Sequence, residues 1–193
     1  MKVIFLDHDG VICLSTEWGN RFKKQKEVGR KLSQSVLSLP VDARFDNFNK
    51  KAIGVLNSIL KETGAEIVVS SDWKKWATVE EMGEYYELKG IIKKPIAFTK
   101  FLQDCDVPQI FPWSRTYDLE QSRSLEIKQY LQDHPEITHW VAVDDLNMGI
   151  PQTHESWGEI EMDWGLTNFV LTPSGREGIK QKGIKDKILN YLL

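Results

Sequence analysis

Val3-Ile4-Phe5-Leu6-Asp7-His8-Asp9-Gly10 is the stretch whose reading decides the fold. Four apolar residues run into two carboxylates spaced i, i+2, and a glycine follows. A short apolar run with no polar alternation reads as a buried strand of a parallel sheet. Gly10 breaks the pattern and turns the chain. Asp7 and Asp9 are thereby expected at the carboxyl end of a buried strand, where open α/β sheets bind ligands. An ionised carboxylate there is costly unless it is paired, hydrogen-bonded or bound to a cation.

Outward from this stretch, strand and helix patterns alternate. Further apolar runs lie at Ile67–Val69, Trp140–Val143 and Phe169–Leu171, with a possible strand at Ile96–Phe98. Helical spacing marks Ala52–Glu62, which Gly64 stops, then Ser124–Asp133, which Pro135 closes, and Asp186–Leu193. This order predicts an α/β fold, a Rossmann-like three-layer sandwich with a mostly parallel sheet. No repeat or low-complexity linker interrupts the 193 residues, so one domain spanning 1–193 is expected, with a flap or small insertion around 11–50.

Bulk composition excludes several classes. The apolar fraction of 41% and charged fraction of 27% suit a globular chain. A net charge of −3 does not favour nucleic-acid binding by the whole molecule, so only a local basic patch could supply it. Arg21, Lys23, Lys24, Lys26, Arg30 and Lys31 form one such run, opposed only by Glu27. Cys13 and Cys105 show neither metal nor disulfide spacing and read as free thiols. No run is long enough to span a bilayer, and the first apolar run is too short for a signal peptide. The expectation is a cytoplasmic protein with no membrane partner. His134, His139 and His154 lack zinc-ligand spacing, and no P-loop occurs.

Three strand ends carry chemistry. The first holds Asp7 and Asp9, the second Ser70-Ser71-Asp72, and the third Asp144-Asp145. If the strands are parallel neighbours, several carboxylates and one or two hydroxyls converge at one sheet edge. Like charges so close repel unless a cation sits among them. Mg²⁺ suits such a site, because it takes oxygen ligands and substrate phosphate together.

This constellation resembles the haloacid dehalogenase superfamily of aspartate-nucleophile phosphatases. Phe5-Leu6-Asp7-His8-Asp9-Gly10-Val11 is similar to its first motif, Ile67-Val68-Val69-Ser70-Ser71 to its second, and Val141-Ala142-Val143-Asp144-Asp145 to its fourth. The third motif is a Lys or Arg near a helix start. Arg123, 21 residues before Asp144 with Ser122 as a possible cap, and Lys128 both qualify, and the position of Arg123 favours it.

The resemblance implies a Mg²⁺-dependent phosphatase that forms an aspartyl-phosphate on Asp7. Asp9 would carry the proton, and its main-chain carbonyl would join the Asp7 and Asp144 carboxylates around the metal, with Asp145 either a further ligand or a residue that orients the surroundings of Asp144. Ser71 or Ser70, Asp72, Gly10 and the cation would surround the phosphate, with Ser71 favoured as the last strand residue. About 56 residues separate Gly10 from Ile67, so any cap is small and the site open. The expected partner is a phosphorylated substrate, a small molecule or a nucleic-acid end.

Val69-Ser70-Ser71-Asp72-Trp73, Arg123-Ser124-Leu125-Glu126-Ile127 and Phe169-Val170-Leu171-Thr172-Pro173 are loosely similar to compact domains of nucleic-acid repair modules. The alternatives are therefore a polynucleotide end phosphatase and, in another class, a non-catalytic phosphate-binding module. Retention of Asp9 argues against the second. Trp18, Trp73 and Trp76 follow strand ends and could wall a pocket.

Overall fold

A computed structural model describes residues 1–105, 119–149 and 165–193. Five strands form one sheet: β1 (Lys2–Leu6), β2 (Glu66–Val69), β3 (Pro95–Phe98), β4 (His139–Asp144) and β5 (Phe169–Leu171). Their order is β3-β2-β1-β4-β5, and every pairing is parallel. The expected α/β fold with a parallel sheet is thus observed, and Ile96–Phe98 is a strand. β1 lies between β2 and β4, so its end faces both of the other acidic or hydroxyl-bearing ends.

Six helices accompany the strands among the described residues: α1 (Asn20–Glu27), α2 (Val41–Arg44), α3 (Lys50–Thr63), α4 (Val79–Lys89), α5 (Leu119–Asp133) and α6 (Ile184–Leu192). α3 starts where the Asn49 side chain accepts from the N–H groups of Lys51 and Ala52, and ends at Gly64 with φ 69°.

The sheet is sandwiched. Ile4, Leu6, Ile67, Val69, Val141 and Val143 share a core with Leu56, Ile59 and Leu60 of α3, Tyr85 and Tyr86 of α4 and Ile188 of α6. Val3, Phe5, Val68 and Ala142 pack on the opposite face against Ile127 and Tyr130 of α5. Strand residues alternate between faces. Asp144, two residues after Ala142, therefore projects toward α5. Asp7 follows the same parity after Phe5, and its N–H still joins the ladder, donating to the Val143 carbonyl at 3.1 Å. Alternation alone thus turns both carboxylates toward one helix.

The segment after β2 does not run on as a single helix. Ser71 caps a short 3₁₀ turn, Asp72–Trp76, by accepting from the Trp73 N–H. A new helix, α4, then begins at Thr78, whose side chain accepts from the Glu81 N–H while Glu81 accepts from the Thr78 N–H. Ser122 is also not a cap, because α5 already runs from Leu119 and holds Arg123 in its interior. The prolines at 108 and 112 and His154 lie outside the described residues.

Residues 11–50 carry α1, a 3₁₀ turn at Val36–Ser38 and α2. Not all of the basic run is a solvated face. Lys24 reaches Asp42 at 3.3 Å and Asn47 at 3.2 Å, whereas Arg21, Lys23, Lys26 and Lys31 are exposed.

Candidate active site

The turn after β1 is built around the His8 carbonyl, which accepts from the N–H groups of Val11, Ile12 and Cys13. Gly10 takes φ 68°, a left-handed conformation that other L-residues rarely adopt. A Cβ there would lie 2.2 Å from Asp145 Oδ2, so the missing side chain admits the Asp145 carboxylate.

Asp7, Asp144 and Asp145 each offer an oxygen, and the three atoms lie within 4.8 Å of one another. Asp7 and Asp144 are buried, and Asp145 is exposed. Arg123 faces them from α5. One of its terminal nitrogens donates to Asp7 Oδ1 at 2.8 Å and to Asp144 Oδ2 at 3.0 Å. The other lies 3.9 Å from Asp72 Oδ1. Lys128 sits five residues further along α5, about 140° around the helix axis, and is half-buried. Arg123 is thus the cation that the fold brings to Asp7.

Burial pushes the Asp7 carboxyl well above its ordinary pKa, and the neighbouring Asp144 adds to this against the pull of Arg123. Burial raises Asp144 to about 6, with Arg123 again opposing. Three carboxylates facing one guanidinium leave an excess of negative charge. All three donors are hard oxygens. This chemistry fits a divalent cation such as Mg²⁺, with Asp7, Asp144 and Asp145 as side-chain ligands.

The Asp9 side chain stands outside that cluster. Its Oδ2 accepts from the Trp73 indole N–H at 2.8 Å, and the nearby Cys13 thiol also favours its charged form. Burial raises its pKa, while these two groups oppose. Trp73 is buried and sandwiched between Phe45 and Phe48, with ring centres 4.8 and 5.3 Å away. It therefore fixes Asp9 and does not wall an open pocket.

His8 points away, into the core. Its Nε2 meets the Tyr86 hydroxyl at 2.6 Å, and burial lowers its pKa to about 3. The spacer between the two aspartates is thus a neutral core residue.

The two serines separate. The Ser71 hydroxyl accepts from the Trp73 N–H and acts on the Asp7 carboxyl, drawing its pKa down against burial. The Ser70 N–H donates to the Leu6 carbonyl at 3.0 Å, and its buried hydroxyl has no hydrogen-bond partner among the described residues. Asp72 turns its carboxylate to Lys75, at 2.8 Å, and toward Arg123.

A cleft of about 20 Å³ lies beside this group, lined by Ser71, Asp72, Lys74, Ser122, Arg123 and Glu126 among others. Lys74 is a residue that sequence reasoning missed. Its ammonium is buried against Glu126 Oε2 at 2.5 Å, Thr99 Oγ1 at 3.0 Å and the Lys100 carbonyl at 3.1 Å. Trp73 and Cys13 were missed as partners of Asp9 as well. The only local signal was that Trp73-Lys74 directly follow the second strand end.

Residues 3–181 match the family described as the HAD domain in Swiss Army Knife RNA repair proteins. The chain belongs to this family. It is a haloacid dehalogenase superfamily member of compact form, with the superfamily's aspartate-nucleophile phosphatase fold. No curated protein and no solved structure matches it. Among the described residues no helix is long and apolar enough to cross a membrane.

Proposed function

We propose that this chain is a Mg²⁺-dependent phosphatase that removes terminal phosphomonoesters from RNA ends. The observation that carries the reading is the meeting of Asp7, Asp144, Asp145 and Arg123 at one sheet edge. Membership of a family named for RNA repair favours a nucleic-acid end over a small molecule.

Asp7 attacks phosphorus, the ester P–O bond breaks, and an aspartyl-phosphate forms. Asp9 gives its proton to the leaving sugar oxygen. It then takes a proton from water as the water oxygen attacks phosphorus. The acyl-phosphate P–O bond breaks, releasing inorganic phosphate and restoring the Asp7 carboxylate. Arg123 offsets the negative charge of nucleophile and phosphate, and Ser71 orients Asp7 and donates to a phosphate oxygen. Gly10 leaves room for Asp145, and residues 11–50 form the flap above an open site. Bound Mg²⁺ would neutralise charge on the transferring group.

A non-catalytic phosphate-binding role is disfavoured by Asp9. A binding-only module has no use for a proton carrier two residues after Asp7, and this chain keeps one.

Phosphate release from 3′- and 5′-phosphorylated oligoribonucleotides, nucleoside monophosphates, sugar phosphates and p-nitrophenyl phosphate tests the reading, with and without Mg²⁺. Wild type should favour an oligonucleotide end. Asp7→Asn should lose at least several orders of magnitude of turnover while its circular dichroism is kept. Near-normal turnover in that variant would sink the mechanism.

A further inference from the structure

The segment that follows the β1 turn carries two exposed aromatic rings that the reaction does not use. Trp18 and Phe22 are 55% and 61% exposed. Large rings left in water forgo the gain from burial, and aromatic side chains are favoured where they meet a partner. Cations accompany Phe22 on α1. Arg21, Lys23 and Lys26 are exposed on α1, whose first turn holds no acidic residue. Phe22 and Lys26 are four apart and Lys23 and Lys26 three apart, so the helix gathers them on one side. The Arg21 guanidinium lies 5.1 Å from the centre of the Phe22 ring.

Three links tie this patch to the site. The Ser15 N–H donates to the Gly175 carbonyl at 2.8 Å, and the edge of the Trp18 indole passes 3.9 Å from where a Gly175 side chain would begin. The loop after β5 that carries Gly175 also sends the Thr172 hydroxyl to the Gly10 carbonyl at 3.2 Å. Arg21 lies near enough to Asp9 for its charge to act on that carboxylate. Asp46 fixes the Arg21 main chain, accepting its N–H at 2.7 Å, and touches the guanidinium only loosely at 3.9 Å. The Arg21 side chain stays 45% exposed.

We infer that Trp18, Phe22 and the cations of α1 form a platform for unpaired nucleotides beside the scissile phosphate, making the substrate a single-stranded RNA end. This rests on the RNA-end reading above. Exposed rings stack on bases whose faces are free, and internal bases of a duplex have theirs covered. Cations spaced along a helix meet the neighbouring phosphodiesters without reading sequence. The platform therefore selects strandedness and not base identity.

The test is kcat/KM for wild type and for Trp18→Ala/Phe22→Ala on three substrates. These are p-nitrophenyl phosphate, a single-stranded oligoribonucleotide with a terminal phosphate, and the same phosphate on a blunt duplex. Wild type should prefer the single strand over the duplex. In the variant the ratio of single strand to p-nitrophenyl phosphate should fall about tenfold or more, mainly through KM. The ratio of duplex to p-nitrophenyl phosphate should move less than about threefold. Equal use of both ends by wild type overturns the inference. So does an unchanged single-strand ratio in a variant with native circular dichroism, which would assign the rings to a protein or membrane partner.

A second measurement stands apart from turnover. Anisotropy titrations of the labelled single strand use Asp7→Asn with and without the two ring substitutions. Weakening by about tenfold supports the platform, and equal binding overturns it. Lys23→Ala/Lys26→Ala should also flatten the salt dependence of that binding. Release from p-nitrophenyl phosphate but from no oligonucleotide would instead end the RNA-end reading, while the titration still judges the platform.

Discussion

Replacing Lys74 by Met tests the polar link that ties α5, and with it Arg123, to the sheet. The Lys74 side chain is 3% exposed, and its three protons have three acceptors, on Glu126, Thr99 and Lys100. Glu126 is 11% exposed, and its second oxygen accepts from the Leu102 N–H at 3.0 Å. Burial pushes the Lys74 pKa down against the pull of Glu126, so the pair offsets only part of its desolvation. Breaking such a pair leaves one buried charge alone, at a cost of roughly 3–5 kcal/mol. Glu126 would keep its bonds to Leu102 and Thr99, which places Lys74→Met near the lower end, about 3 kcal/mol. Glu126→Gln keeps the volume and an acceptor for Leu102 but removes the charge. The double variant Lys74→Met/Glu126→Gln strands neither group. It should lose at least about 1 kcal/mol less than the two single losses summed. Urea unfolding at pH 7.5, with the slope m compared across the four proteins, reads these values. A loss under about 1 kcal/mol in Lys74→Met, or strict additivity in the cycle, would refute the reasoning. Glu126 lies one turn after Arg123 on α5, so Lys74→Met should also lower kcat/KM.

The other predictions concern the carboxylates. Gly10→Ala should destabilise by about 1–2 kcal/mol through its left-handed backbone, and should weaken Mg²⁺ binding by displacing Asp145, as calorimetric titration would register. Unchanged affinity there would remove Asp145 from the ligand set. Asp144→Asn should lower Mg²⁺ affinity far more than Asp9→Asn, because the Asp9 side chain points to Trp73 and away from the cluster. Equal losses in the two variants would contradict that division. Trp73→Phe removes the indole N–H from Asp9 and keeps an aromatic ring between Phe45 and Phe48. Its kcat/KM should fall about tenfold more on an alkyl phosphate than on p-nitrophenyl phosphate, whose leaving group needs little protonation. An equal fall on both would mean that Trp73 acts on the fold alone. Saturating Mg²⁺ at about a hundred times its Kd should add about 2.7 kcal/mol to the stability of wild type, and chelation should remove it, read as a shift in Tm.

What was legible in the sequence was local. Apolar runs ending in Asp7, Ser70 and Asp144 predicted three buried strands, because a strand covered on both faces carries no polar alternation. The residues just beyond such runs are necessarily at the strand ends. A parallel sheet then gathers those ends at one edge, so the acidic cluster followed from order and polarity alone. The helix starts were less legible. Leu119-Glu120-Gln121-Ser122 carries no apolar period, so the spacing marks a helix only from Ser124 and makes Ser122 a possible cap, whereas α5 runs from Leu119.

Tertiary structure decided everything that depends on distance between separate elements. Arg123 was preferred to Lys128 on position, but only the packing of α5 on the face shared by Asp7 and Asp144 brings its guanidinium to both. Ser71 and Ser70 are adjacent and chemically identical, and only the turn after β2 sets the hydroxyl of one of them to act on Asp7. Trp73 and Asp9 are 64 positions apart, and Lys74 and Glu126 are 52 apart. No periodicity links such pairs. Their hydrogen bonds exist because the sheet sets β1, β2 and the α5 face within a few ångströms, and a side-chain contact is a property of that spacing and not of either segment.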